Sequence, residues 1–445
     1  MSNDDSGTAE ALTKLAAEDV EAARDAEAAI AWLTAGEGLG VLTQERVQTF
    51  LWYGLPMKWL TDTDHHRRVT DALGRAFDLL GLSRYAAICR SSTTAKVLDA
   101  YNRSEAEGKK AFNKADIASG VRPPDIAELV WGPVMGMEES AALSAAAEFL
   151  ELAIVSGGLV PGARGWKQRQ ADLVRTCLST PRVESGGRAL LDVIRAERLE
   201  TWLSGRRSPS RRRLLEPLVD AVHAPAQLPS SAQDPLPPLR WLLEELVDGQ
   251  PLTQTGNLNR AFVQHAAARF GWWPPNLHSL PRGEDELHDL HHVRGLTQRL
   301  GLIRSSGRKL ALTPRGRGLI DDPEGLWRTA ALGLLPADGF TLVVGEVTLA
   351  LLATRDTVPA GELQAVAAEV VGEEGWRDKS TDAPADDRAI TWSTHVTTNL
   401  LRALGLLAVG DDWNDDSYGL TDVGRATALE ALHRRATGPR SSPWG

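Results

Sequence analysis

A repeated fragment in the C-terminal half constrains this chain more than any other feature. Its first copy runs Leu300-Gly301-Leu302-Ile303, then eight residues, then Leu312-Thr313-Pro314-Arg315-Gly316-Arg317. Its second copy runs Leu404-Gly405-Leu406-Leu407, then twelve residues, then Leu420-Thr421-Asp422-Val423-Gly424-Arg425. Both copies predict one plan: a helix, Leu-Gly-Leu, a polar insert, and Leu-Thr-x-x-Gly-Arg opening another helix.

The plan has a physical basis. Residues 286–300 place Leu287, Leu290, Val293, Leu296 and Leu300 near one face, as a packed helix requires. Gly301 suits the left-handed position that ends a helix. Segments 302–304 and 309–312 pair as a hairpin across Ser305-Ser306-Gly307-Arg308. Thr313 is a natural N-cap and Pro314 a natural first helical residue. Helical periodicity over 238–247 and 257–270 precedes this hairpin, and over 341–353, 359–371 and 389–404 precedes the other insert. The order predicts two tandem winged helices with short β-hairpin wings, at 239–335 and 339–437, followed by a tail at 438–445.

Residues 1–223 read as an all-helical domain, so the fold class is mainly α. Helices are expected over 8–34, 64–80, 84–101, 137–155 and 184–204. Val69, Leu73, Ala76, Phe77 and Leu80 form the apolar stripe of the second. The double proline in Val121-Arg122-Pro123-Pro124-Asp125 stops a helix, and Asp125 is placed to cap the next. Residues 224–238 hold Pro225, Pro229, Pro235, Pro237 and Pro238, the composition of an extended linker. The domain boundary is expected there.

Composition narrows the class. The chain has 445 residues, 42% hydrophobic and 24% charged, which fits globular domains with real cores. No charge-free apolar run approaches the ~18 residues of a membrane span. The start, Met1-Ser2-Asn3-Asp4-Asp5, lacks the basic and apolar regions of a signal peptide. With Cys89 and Cys177 as its only cysteines, the chain has neither a disulfide scaffold nor a four-cysteine zinc site. These features predict a cytoplasmic protein with no membrane contact.

The net charge of −10 argues against a general nucleic-acid coat. It is unevenly placed, however. Eight acids against Lys14 and Arg24 fall in residues 1–30, whereas residues 290–320 hold seven bases and no acid. With 9 Lys against 40 Arg, arginine alone says little about phosphate binding, and clustering is what counts. Such a skew suits a high-GC genome.

The run Gln250-Pro251-Leu252-Thr253-Gln254-Thr255-Gly256-Asn257-Leu258, with the following hairpin and Leu312-Thr313-Pro314-Arg315-Gly316-Arg317, resembles the winged-helix tail of actinobacterial plasmid- and transposon-passenger proteins. That resemblance covers about residues 238–335 and implies a fold and a mobile-element setting. Residues 1–223 resemble uncharacterised actinobacterial proteins through Gln48-Thr49-Phe50-Leu51-Trp52-Tyr53 and Arg84-Tyr85-Ala86-Ala87-Ile88-Cys89-Arg90. No catalytic residue is carried over from either.

The first winged helix is the candidate DNA reader. Its third helix presents His288, His291, His292, Gln298 and Arg299 opposite the apolar stripe. Its wing carries Arg304, Arg308 and Lys309, and the next helix opens with Arg315 and Arg317. Gln298 and Arg299 suit base edges in double-stranded DNA, and the wing cations suit phosphates. Six to seven phosphate contacts are expected.

The second wing carries Asp411, Asp412, Asp415, Asp416 and Asp422 with no base, so self-association or a protein partner is expected of 339–437, and equally of 1–223. The competing reading of the whole is a protein-interaction scaffold that uses its winged helices for protein contact, without catalysis. The five arginines Arg206, Arg207, Arg211, Arg212 and Arg213 read as a solvated loop and helix start. His65-His66 and His291-His292 are adjacent pairs that do not share a helix face, so no metal is expected. No P-loop, dinucleotide fingerprint, His-Glu-x-x-His or Gly-x-Ser-x-Gly occurs, so neither catalysis nor a cofactor is expected.

Overall fold

Side-chain caps set the rhythm of the N-terminal helices. Asp19, Asp62, Ser91 and Ser104 each stand in extended backbone before a helix. Each accepts the backbone N–H three residues on, at 3.0, 2.7, 3.1 and 3.2 Å. Asp19 thereby divides the helix expected over 8–34 into Asn3–Glu18 and Val20–Thr34. Ser91 divides the helix expected over 84–101 into Ser83–Cys89 and Ser92–Arg103. Thr63–Leu79 buries Val69, Leu73, Ala76 and Phe77 on its expected stripe.

The structure is a computed structural model that describes residues 3–59, 62–274, 279–336, 339–408 and 416–442, with side chains from Ser6 onward. It is mainly helical with small sheets. Contacts divide it into two compact units, Met1–Trp131 with Met137–Ile194, and Gly132–Gly136 with Arg195–Gly445. Among the described residues no helix is long and apolar enough to cross a membrane.

The first unit has two cores. One gathers Leu15, Phe50, Leu73 and Phe77; the other gathers Ile126, Leu150, Val174 and Ile194. Two local expectations fail here. Asp125 accepts the Trp131 N–H at 3.0 Å and so closes a loop instead of capping a helix; the next helix is Met137–Val155. Residues just before the last helix form a two-residue antiparallel hairpin, Pro181–Arg182 with Arg188–Ala189, and the helix itself is Leu190–Ser204.

In the second unit, Pro237–Glu245, Arg260–Phe270 and His288–Arg299 are helices, with strand Gln250–Pro251 between the first two. Strands Ile303–Ser306 and Lys309–Leu312 follow. They form an antiparallel sheet with Lys309–Leu312 in the centre and Gln250–Pro251 on one edge. A second series follows: helix Phe340–Thr354, strand Val358–Pro359, helices Ala360–Glu373 and Asp387–Ala403, strand Ser417–Tyr418, and helix Asp422–Thr437. One core runs through both series and includes Leu242, Val293, Leu310, Val347, Leu401 and Leu432.

The two repeat copies make the same bonds. Gly301 and Gly405 take φ of +66° and +73° and end their helices. Leu302 N–H then donates to Thr297 O, and Leu406 N–H to Leu401 O, both at 2.9 Å. Thr313 and Thr421 cap the N–H of Gly316 and Gly424 at 3.1 and 3.0 Å. Their own N–H groups donate to Leu302 O and Leu406 O. Each glycine of the motif lies against that same carbonyl oxygen, where an added Cβ would stand 2.1 Å away.

Two further features bind the second unit. The proline-rich stretch lies inside it: the Ala226 N–H donates to buried Glu430 at 2.9 Å, and Leu236 is buried just before the helix at Pro237. Arg211 is a correction to the expected solvated arginine cluster. It is 3% exposed and bonds Glu346 at 2.8 Å and Glu374 at 3.5 Å. Trp202 Nε1 and Arg435 complete the shell of Glu346. Arg212 pairs with Glu200, Arg213 with Glu369, and Arg206 lies over the Trp376 ring at 4.1 Å.

Candidate functional site

The His288–Arg299 helix buries Leu290, Val293, Leu296 and Thr297, so its exposed stripe is the complementary one. His288, His291 and Gln298 fall on that stripe and are exposed. Just before the helix, buried Glu284 accepts the Leu258 N–H at 2.7 Å and Arg294 Nη1 at 2.5 Å. Arg294 is therefore spent inside the fold. The helix packs on Asp387–Ala403, with Asp289 receiving Arg402 Nε at 3.2 Å. His292 is half-buried on that side; burial, then the neighbouring His291, hold its pKa below the ordinary histidine value. It adds no charge at neutral pH.

The hairpin is a short, one-sided platform. Its register pairs Ile303 with Leu312, Arg304 with Ala311, Ser305 with Leu310 and Ser306 with Lys309. Alternation then puts Ile303, Leu310 and Leu312 towards the core and Arg304 and Lys309 together on the outer face. Gly307 turns the chain at φ +58° with Arg308 beside it. Gly249, at φ +72°, leaves room for the Lys309 stem; a Cβ there would lie 2.4 Å from Lys309 Cε. Arg304, Arg308 and Lys309 are exposed and bond no carboxylate among the described residues.

The remaining arginines of the expected site serve the backbone, although all three are exposed. Arg299 Nη2 donates to Gly333 O at 3.2 Å, and Arg315 Nη1 to Leu300 O at 3.1 Å. Arg317 Nη2 donates to Val247 O at 3.2 Å, just beyond helix Pro237–Glu245. Its repeat counterpart Arg425 bonds Ala353 O and, at 3.2 Å, Arg355 O at the end of Phe340–Thr354. The arginine of the repeated motif thus caps the first helix of each series.

The helix-ending bonds to Thr297 O and Leu401 O align the third helices, which sets Trp392 opposite His288 and His395 opposite His291. Trp392 is 63% exposed. Of the acidic insert, Asp411, Asp412 and Asp415 lie outside the described residues, as do Met1, Ser2 and the tail residues Pro443, Trp444 and Gly445. Asp416 is exposed, and its carbonyl accepts the Ala360 N–H at 2.8 Å.

Residues 241–325 match a family model described as the Y4jL N-terminal domain. The match takes in the end of the Pro237–Glu245 helix, the next two helices and the hairpin just described, within the stretch where the resemblance is read. No curated protein and no solved structure matches the chain.

Proposed function

We propose that residues 239–335 and 339–437 are tandem winged helices, and that the first binds double-stranded DNA in a regulatory or mobile-element setting in the cytoplasm. One observation carries this reading: three cations of one hairpin, Arg304, Arg308 and Lys309, stand exposed with no carboxylate partner among the described residues. Helix, strand, two helices and a hairpin closing a three-stranded sheet support the fold. The exposed His288, His291 and Gln298 supply polar groups for base edges beside them. Arg299, Arg315 and Arg317 are tied to carbonyls, so the phosphate contacts reduce from six or seven to about three.

Anisotropy of a labelled duplex across a salt series tests this. Three neutralised phosphates give a log-log slope of about −3. The variant Arg304→Ala/Arg308→Ala/Lys309→Ala removes most of that slope. A flat slope in the native chain, or unchanged affinity in the variant, overturns the reading.

Exposed Trp392 favours a second use for 339–437, contact with a protein partner or a second copy, since large exposed aromatics enrich protein interfaces. In the scaffold version of the whole, association is insensitive to salt and to the hairpin variant.

A further inference from the structure

The helices Met137–Val155 and Trp166–Ser179 pack on each other and share a core through Leu150, Val174 and Leu178. Residues 156–165 join them, so the end of one helix and the start of the next form a single tip of the first unit. The tip is braced. Leu159 is buried in that core, and its N–H donates to Ala153 O at 3.0 Å. The Ala163 N–H reaches Val160 O at 3.1 Å, and the Trp166 N–H reaches Ala163 O at 3.2 Å. Gln170 Nε2 donates to Gly120 O and Arg122 O, both at 2.9 Å, and so ties the second helix to the chain just beyond Glu105–Ser119.

Packing does not account for what this tip presents to solvent. Leu152, Val155 and Val160 are 67%, 63% and 58% exposed. A single exposed aliphatic is ordinary, but a group of them at one tip is an apolar patch of the kind that meets a protein or a membrane. Arg164, Lys167 and Arg169 are exposed at the same tip and bond no carboxylate among the described residues. From Leu152 to Ala171 the sequence holds no acid. The flanking Glu151 and Asp172 are occupied by Arg84 and Arg175, each at 2.9 Å. Exposed Glu148 stands one turn behind Leu152, away from the joining residues. Trp166, between Arg164 and Lys167 in the chain, is half-buried.

This mixture selects the partner. Protein interfaces favour exposed aromatic anchors, whereas the exposed apolar groups here are all aliphatic. A bilayer needs no matching shape. Aliphatic side chains enter the acyl boundary, a tryptophan suits the headgroup level, and cations meet anionic lipid. We infer that the tip at residues 152–169 docks the first unit on the surface of an anionic lipid bilayer, with Leu152, Val155 and Val160 inserted and Arg164, Lys167 and Arg169 on the headgroups. The expectation of no membrane contact rests on the missing membrane span, and surface docking needs none. The net charge of −10 opposes general adhesion to such a surface, so the attraction is local to the tip. The inference does not depend on the DNA reading of residues 286–317.

Cosedimentation of the full chain with mixed phosphatidylcholine–phosphatidylglycerol vesicles, against pure phosphatidylcholine vesicles, tests this. Binding is expected to the mixed vesicles and much less to the neutral ones. Arg164→Gln/Lys167→Gln/Arg169→Gln weakens it about a hundredfold, from about fivefold per cation. Val155→Ser/Val160→Ser weakens it about tenfold. Both valines are exposed, so urea unfolding of that variant matches the native chain. Arg304→Ala/Arg308→Ala/Lys309→Ala leaves vesicle binding intact, so this surface and the DNA surface hold or fail separately. No binding to the mixed vesicles, equal binding to neutral ones, or unchanged binding in either tip variant overturns the proposal. So does a tip variant that lowers duplex affinity and spares vesicle binding, which assigns the cations to nucleic acid.

Discussion

The carbonyl oxygen of Leu302 occupies the space a side chain at Gly316 needs: a Cβ on that glycine would stand 2.1 Å from it. Gly424 meets Leu406 O in the same way. A backbone atom cannot swing aside as a side-chain tip does. Gly316→Ala and Gly424→Ala should each lose about 1–3 kcal/mol in urea unfolding, the range for forced overpacking. Gly318 has open space around it, so Gly318→Ala should stay within about 0.5 kcal/mol of the native chain. Equal losses at all three positions contradict the fit.

Arg317 and Arg304 separate fold from binding. Arg317→Ala gives up a charged donor to Val247 O and should cost roughly 1 kcal/mol in stability, with a small effect on duplex affinity. Arg304→Ala should leave the unfolding midpoint unchanged and lower the salt slope by about 1. Parallel unfolding and anisotropy series on the two variants decide this, and the reverse pattern refutes it.

Arg211 is the buried hub between Glu346 and Glu374. The two acidic partners outweigh its burial and keep its guanidinium charged, and the pair of arginines keeps buried Glu346 ionised. Arg211→Met leaves buried carboxylates short of a partner and should cost about 3–5 kcal/mol. Adding Glu346→Met should recover part of that loss. A double variant no more stable than Arg211→Met shows that the charges are not coupled.

His433 links stability to acidity. It is buried, with Nδ1 2.7 Å from Val222 O, and burial lowers its pKa below the ordinary value. The unfolded chain then binds the proton more readily than the folded one. Stability from this group is whole above the unfolded value of about 6.5 and declines as pH falls below it towards the lower folded value. His433→Asn retains a donor for Val222 and removes the titration. Urea unfolding at two pH values either side of that window should show a smaller acid loss in the variant; an identical loss excludes His433 as a source.

What could be read in the residue order was local. Thr313, Pro314 and Gly301 announce a cap, a first helical residue and a left-handed stop, and each takes that place. Asp19 and Ser91 are cap residues too, but the apolar period continues past both, and periodicity hid the breaks. Asp125 had the right chemistry for a cap and bonded a loop amide instead. The site was less legible because its arginines look alike in sequence. Whether one reaches Val247 O, Gly333 O or solvent depends on elements up to seventy residues away.

Gly249 carries no charge and lies sixty positions ahead of Lys309, yet the stem of that lysine rests where its side chain would be. Any bulkier residue there must displace the ammonium group from its present aim. A survey of binding that mutates only the basic positions therefore overlooks a steering element made of empty space.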